Sequence, residues 1–289
     1  MTQKPIKFWK TQPTSNSPAI QQSQMPEEYL EVINRQVEEY NGDLEIEESS
    51  TIPNTNDIPL DAPRWKKIPD VICVFVDMKN STLLSATAHE RSTSRTYQLF
   101  TGTAVRLFDA FEAPYIDVRG DGAFALFNKN QVYRALAAAV TFKTFAEKVF
   151  IPKIQKKTDL EIGAHIGIDQ RTVLVRKLGL RRIEGRTDRQ NEVWAGKPVN
   201  MASKLASIGE SGQLLASERY YEKITHERAR LSCGCRNGNP SSTKSDLWKA
   251  IDVSDKPMFD FNTAWQLTSS WCSLHGKEFC SEILKLDKE

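Results

Sequence analysis

Apolar positions become dense and regular only from Asp70 onward. Val71-Ile72-Cys73-Val74-Phe75-Val76 is an unbroken, largely β-branched run of strand length, the pattern of a strand buried on both faces, and it ends at Asp77. Tyr97, Phe100, Ala104, Leu107, Phe108 and Phe111 recur at helical spacing, and Pro114 follows as a stop, so about residues 86–112 form one long helix or two in succession. Tyr115 to Val118 and Ala123 to Phe127 are strand-like segments around Arg119-Gly120-Asp121-Gly122, whose Asp-Gly step predicts a hairpin. Residues 130–150 are Ala-rich with an apolar face of Val132, Leu136, Ala139, Val140, Phe142 and Phe145, a second helix. Leu160, Ile162, Ala164, Ile166 and Ile168 then alternate as a strand does. Strand, helix, strand, strand, helix, strand is the ferredoxin-like βαββαβ order of an α+β domain, with the hairpin packed beside the first strand.

The flanks pattern differently. Residues 1–26 are rich in Gln, Ser, Thr and Pro and read as a polar arm. Pro26-Glu27-Glu28 opens a helix with Leu30, Ile33 and Val37 at helical spacing, closed by Asn41-Gly42 and expected to dock on the main body. Asp43 to Pro69, acidic and Pro-containing, reads as a linker. The expected division is therefore an arm, helix and linker over 1–69, a main domain over 70–225, and an extension over 226–289. Trp248, Phe259, Phe261, Trp265 and Trp271 suggest that this extension is packed.

Composition narrows the function. A chain of 289 residues that is 39% hydrophobic can bury a core, which excludes disorder throughout. Lys and Arg number 39 against 37 for Asp and Glu, a formal +2, so no global field favours nucleic acid or anionic lipid. The basic cluster Arg176, Lys177, Arg181, Arg182, Arg186 and Arg189 is interrupted by Glu184 and Asp188 and has no aromatic platform except Trp194. It suits a triphosphate arm or a dimer seam better than a nucleic-acid groove. No apolar run approaches the roughly 20 residues that span a bilayer, and no secretory leader is evident, so a cytoplasmic protein without membrane attachment is expected. Five cysteines, an odd number, fit a reducing compartment. Cys233-x-Cys235 and Cys272-x-x-His275, with Cys280, could supply four ligands to a structural Zn²⁺; free buried thiols are the alternative.

The chemistry concentrates at two acids. In a βαββαβ fold Asp77, at the end of the first strand, and Asp121, at the hairpin, converge on one edge. Two carboxylates facing one space suit Mn²⁺ or Mg²⁺, and such ions commonly complete their shells with substrate phosphates. Met78-Lys79-Asn80-Ser81-Thr82 leads from Asp77 toward a helix start, where free backbone N–H groups at Asn80, Ser81 and Thr82 favour a phosphate chain. A third segment, Glu192-Val193-Trp194-Ala195-Gly196-Lys197-Pro198-Val199-Asn200-Met201-Ala202-Ser203-Lys204-Leu205, completes a pattern. The strand-end Asp77-Met78, the Gly120-Asp121-Gly122 hairpin and the Val199-Asn200-Met201-Ala202-Ser203-Lys204 helix start resemble, in order, the three motifs of the class III nucleotidyl cyclases, over about residues 70–225.

That resemblance implies head-to-tail homodimers with two composite sites and two Mn²⁺ or Mg²⁺ ions held by Asp77 and Asp121 with Met78 beside them. The ribose 3′-oxygen would attack the α-phosphorus and pyrophosphate would leave. Asn200 would orient the ribose and Lys204 would face the pentavalent phosphorus, standing where the family usually has Arg; Lys keeps the charge but not the planar fork. Asp117 occupies the position of the Lys that adenine-selective members carry, and Glu192 the second base-reading position. Two acceptors there disfavour adenine and leave guanine, uracil and cytosine open. Arg119 either narrows the base pocket or touches phosphate. A closer similarity, carried by the Trp194–Leu205 string, the polar arm and the Cys-containing tail, is to the bacterial Pycsar pyrimidine cyclases, which make cyclic UMP or cyclic CMP as a phage-infection alarm read by an effector protein. The expectation is thus a UTP cyclase, with CTP next. A guanylate cyclase and a non-catalytic nucleotide sensor are the alternatives, the second kept open by Lys204.

Overall fold

The computed structural model describes residues 25–158, 160–180, 190–235, 239–240 and 243–288. The chain divides into two units, residues 1–45 and 46–289. In the smaller, α1 (Glu27–Asn41) begins behind Pro26 with Glu27 and Glu28 in its first turn, where free N–H groups favour negative charge. It ends at Gly42, whose N–H donates to Glu39 O.

β1 (Glu45–Glu48), of which all but the first residue belongs to the larger unit, pairs with β2 (Arg64–Lys79). The stretch expected to be a linker is therefore structured. Ile52, Ile58 and Ile68 are buried, and Ile52 N–H donates to Asn128 Oδ1 at 2.8 Å. The three isoleucines join one apolar cluster with Val71, Cys73, Val173 and Val175, but they are spaced too irregularly along the segment to give a periodicity to read. Pro69 and Asp70, the latter at φ 53°, sit in a bulge between the Ile68–Val173 and Val71–Arg171 pairs, which re-aims the strand without a proline N–H.

Two helices, α2 (Ser81–Thr87) and α3 (Glu90–Ala110), follow, then the hairpin β3 (Tyr115–Arg119) and β4 (Gly122–Phe127). Next come α4 (Val132–Phe145), a π turn (Ala146–Phe150) and α5 (Ile151–Gln155). β5 (Gly163–Gly179), longer than its alternating stretch, runs antiparallel to β2 from Lys66–Val175 to Lys79–Gly163. β6 (Gln190–Gly196) pairs with the far half of β5 and leads into α6 (Lys197–Ile208). The rest is β7 (Leu214–Ser217), α7 (Glu218–Tyr221), α8 (Glu227–Arg230), β8 (Trp248–Asp252), β9 (Thr263–Leu267) and α9 (Gly276–Ile283). The main path of the sheet is β3-β4-β2-β5-β7-β9-β8, so the fold is α+β, with β4 beside β2 as expected and the extension adding two strands of its own.

The two faces of the sheet differ. Ile72, Val74, Val76 and Met78 point to the side packed by α3 and α4, where Phe100 meets Phe142 edge-on at 5.2 Å. Four alanines of α4, at 135, 137, 138 and 139, are fully buried. The extension covers the outer side of that helix: Trp271 Nε1 donates to Thr141 Oγ1 at 2.8 Å, and Asp287 accepts from the N–H groups of Tyr133 and Arg134. Burial all round explains its apolar composition. Val71, Cys73, Phe75 and Asp77 point to the opposite face, where α6 lies. Gly167 on β5 permits that approach, since a Cβ there would stand 1.9 Å from Ala202 O. Tyr221 of α7 stacks on Trp265 of the extension at 3.8 Å, and Trp248 is buried.

Candidate active site

Asp77 and Asp121 do come together. Asp77 lies one position beyond the Val76–Ala123 pair of the β2–β4 ladder, opposite Gly122. Its Oδ1 stands 2.9 Å from the point a Cβ would occupy at Gly122, so glycine leaves room for the carboxylate. The hairpin turn is Gly120-Asp121, closed by the Arg119–Gly122 pair, within the stretch expected to hold it. Gly120 takes φ 63° at the first turn position, as a type II′ turn asks, and Asp121 is carried at the tip. Burial, and then the charge of Asp121, push the Asp77 carboxyl from 3.8 up to about 6, while the Met78 N–H pulls the other way. Met78 itself buries its side chain on the helix-covered face, which leaves its main chain as the group it can offer.

Asn80 sits at φ 62° ahead of α2, and its side-chain amide donates to Glu161 O at 2.7 Å. That bond anchors the turn by which the chain passes from Asp77 to Ser81 and Thr82. His165, which the alternation of the surrounding apolar residues assigns to the other face, is the cross-strand partner of Asp77. Burial, then the charge of Lys79, hold its imidazole below the ordinary range, and its buried Nε2 has no protein partner among the described residues. It is a neutral ring beside the acid pair that the sequence reading passed over.

A second group lies on the same face. Asp117 Oδ2 is 2.7 Å from Arg119 Nη2, a close ion pair without hydrogen-bond alignment, and Glu192 is 3.5 Å from Lys177, its opposite number across β5–β6. Burial, then Asp117 and Glu192, push the Tyr115 phenol up to about 12, so its O–H stays a donor. Its ring is 4.6 Å from that of Trp194. The two acidic positions therefore meet around Tyr115, each with a cation beside it. Tyr115 becomes visible as a site residue only once the register is known, and the register sets Lys177, expected in a triphosphate arm or dimer seam, beside Glu192.

Asn200 and Lys204 are one turn apart on α6, Asn200 exposed and Lys204 partly so. Among the described residues neither bonds to Asp77 or Asp121. Lys204 Nζ instead donates to Met258 O at 3.1 Å, and Lys197 on the same stripe pairs with Asp260 at 2.6 Å. Arg219 fixes that loop: it grips the fully buried Asp169 through two nitrogens at 2.7 and 2.6 Å and reaches Asp260 at 2.9 Å. Burial works against the Asp260 charge, but Lys197 and Arg219 outweigh it and hold the carboxyl low. Of the basic cluster, Arg176 and Lys177 lie in β5; 181–189 fall outside the described residues.

A largely antiparallel sheet bearing two acids at a hairpin edge, with an Asn/Lys helix on the same face, is the layout of a nucleotidyl cyclase domain. The chain belongs to the family described as the adenylate and guanylate cyclase catalytic domain, which matches residues 64–240. It is 35% identical over 233 residues to a uridylate cyclase of Micromonospora echinofusca, covering 79% of this chain and 73% of that protein. A uridylate cyclase of Propioniciclava tarda is 34% identical over 255 residues, covering 86% and 80%. Among solved structures, the guanylate cyclase domain of RhGC from Catenaria anguillulae, in complex with GTP, superimposes with a TM-score of 0.53 at 15% identity, covering 71% of this chain and 99% of that one. No helix among the described residues is long and apolar enough to cross a membrane.

Proposed function

We propose that this nucleotidyl cyclase converts UTP to 3′,5′-cyclic UMP and pyrophosphate. The observation that carries the reading is the convergence of Asp77 and Asp121 on the α6 face, close enough for Asp121 to raise the Asp77 carboxyl. Two half-buried acids in that relation are unfavourable alone and are relieved by a hard cation, so the residues fit a pair of Mn²⁺ or Mg²⁺ ions, with the Met78 carbonyl as a further oxygen. Bound there, such ions supply Lewis-acid polarisation and neutralise charge on the leaving pyrophosphate. In the reaction the ribose 3′-oxygen bonds to the α-phosphorus, the α–β phosphoanhydride P–O bond breaks, and the 3′-proton passes to solvent.

The chain's own residues do the positioning. Main-chain N–H groups at Ser81 and Thr82, behind the anchored Asn80, face the triphosphate. Asn200 orients the ribose and Lys204 meets the pentavalent phosphorus, both contributed by the partner subunit of a head-to-tail homodimer. Uracil presents acceptor, donor, acceptor along its edge. Asp117 or Glu192 takes its N3–H, while Tyr115, Lys177 and Arg119 donate to its carbonyl oxygens. Cytosine, with one N–H edge and two acceptors displaced from it, matches less well. The two relatives at 35% and 34% identity, both uridylate cyclases, support the same base. In a reducing cytoplasm the product would serve as a second messenger of phage infection for a separate effector.

Incubation with equal amounts of ATP, GTP, CTP and UTP plus Mn²⁺, with products identified by mass, tests the base. Cyclic UMP should dominate by at least about tenfold, the scale one buried hydrogen bond can discriminate. Predominant cyclic GMP would overturn the base assignment and leave the cyclase intact.

A further inference from the structure

We propose that Cys233, Cys235, Cys272 and His275 bind one structural Zn²⁺ ion, separate from the acid pair, and that this ion ties the segment from residue 270 onward to the 233–235 knuckle. One ligand atom from each of the four residues lies within 4.8 Å of all the others. Cys235 Sγ is 3.3 Å and Cys272 Sγ 4.0 Å from His275 Nδ1. Tetrahedral Zn²⁺, with sulfur at about 2.3 Å and nitrogen at about 2.0 Å, sets ligand atoms roughly 3.5–3.8 Å apart, so shifts of no more than about 1 Å, outward for the Cys235–His275 pair and inward for wider ones, seat the ion.

The backbone is built to converge these groups. Cysteines two apart on an extended chain would project to opposite sides. Gly234 between them takes φ 85° and turns both thiols inward. Cys272 and His275 bracket the turn into α9, where Gly276 N–H donates to Cys272 O at 2.8 Å; a Cβ at Gly276 would fall 2.8 Å from Trp271 Cβ. The structure also selects among the cysteines. None forms a disulfide, Cys73 is fully buried in the sheet, and Cys280 packs against the main core outside the cluster.

Three thiolates and an imidazole form a soft, closed set with no open position, which is the donor chemistry of a structural zinc site and not of a catalytic one. The net negative charge of such a centre has Arg228 and Lys148 near it: both line the cavity of about 660 Å³ that Cys233, Cys235 and Cys272 also border, which gives the ion a route in. The ion would link the 233–235 knuckle to a segment that already clasps α4. Trp271 donates to Thr141 and Asp287 caps the start of α4, Ser270 bonds Glu147 in the π turn behind it, and Arg228 of α8 pairs with Glu282 of α9 at 3.0 Å.

The test is the metal content of the full chain, purified from zinc-supplemented cells without chelator. About one Zn²⁺ per chain is expected. Cys235→Ser and Cys272→Ser should lose it, while Cys280→Ser should keep it. Wild-type protein decides alone should the ligand variants fail to fold: stripping with a chelator should lower the thermal midpoint and expose residues 270–288 to protease, and added Zn²⁺ should reverse both. Wild-type protein free of zinc, a disulfide among these thiols, a different resident metal, or loss of zinc from Cys280→Ser would overturn the proposal.

Discussion

Asp77 pays for its position. Its carboxyl is raised by burial and by Asp121, so the folded protein holds that proton more tightly than the unfolded chain does. The sign follows: with no divalent ion present, this residue destabilises the fold progressively as pH climbs from about 4 through about 6, and the penalty persists above. Solvent screening of a partly exposed group reduces it to about 1 kcal/mol. Asp77→Asn should therefore raise the thermal midpoint of metal-free protein at pH 8 and leave it nearly unchanged at pH 4, where Asp77 is already protonated. Mn²⁺ should stabilise the wild type at pH 8 and not the variant. An equal shift from the substitution at both pH values would show that Asp77 carries no such charge penalty.

At the scale of elements, the helix that bears Asn200 and Lys204 depends on a glycine in a neighbouring strand. Gly167→Ala would put a Cβ 1.9 Å from Ala202 O and 2.8 Å from Ala206 N, both main-chain atoms that cannot rotate away. Displacing α6 should cost about 2–3 kcal/mol, the upper range for overpacking, and should depress turnover beyond what the lost stability explains. Urea unfolding alongside the product assay checks both; a variant with wild-type stability would show that the α6 contact is soft. Elements of this kind were legible in different degrees. The apolar core of β2, the hairpin, the Ala-rich helix and the Cys and His positions all stood out by pattern, although β2 runs two residues past Asp77, to Lys79. Within the expected Arg119–Gly122 stretch, Gly120 takes the positive φ and Gly122 leaves room for the Asp77 carboxylate. Ile52 and Ile58 escaped because single buried residues have no period. Tyr115, Lys177, His165 and the Arg219 grip on Asp169 depend on strand register and on the extension folding back, neither of which local spacing encodes.

For the whole molecule, the separation of the acid pair from Asn200 and Lys204 is the feature with the largest consequence. The acids lie at the β2–β4 edge, and the Lys204 ammonium turns to Met258 of its own chain. If each site takes its acids from one subunit and its Asn/Lys pair from the other, variants lacking either half should repair one another. The decisive measurement is cyclic UMP formed from UTP and Mn²⁺ by Asp121→Ala protein, by Asn200→Ala/Lys204→Ala protein, and by an equal mixture refolded or co-expressed together. Each variant alone should be inactive, and the mixture should recover about one quarter of wild-type activity, since half the dimers are mixed and each carries one intact site of two. Turnover by Asp121→Ala alone, or no recovery in mixtures shown to contain mixed dimers, would contradict the account.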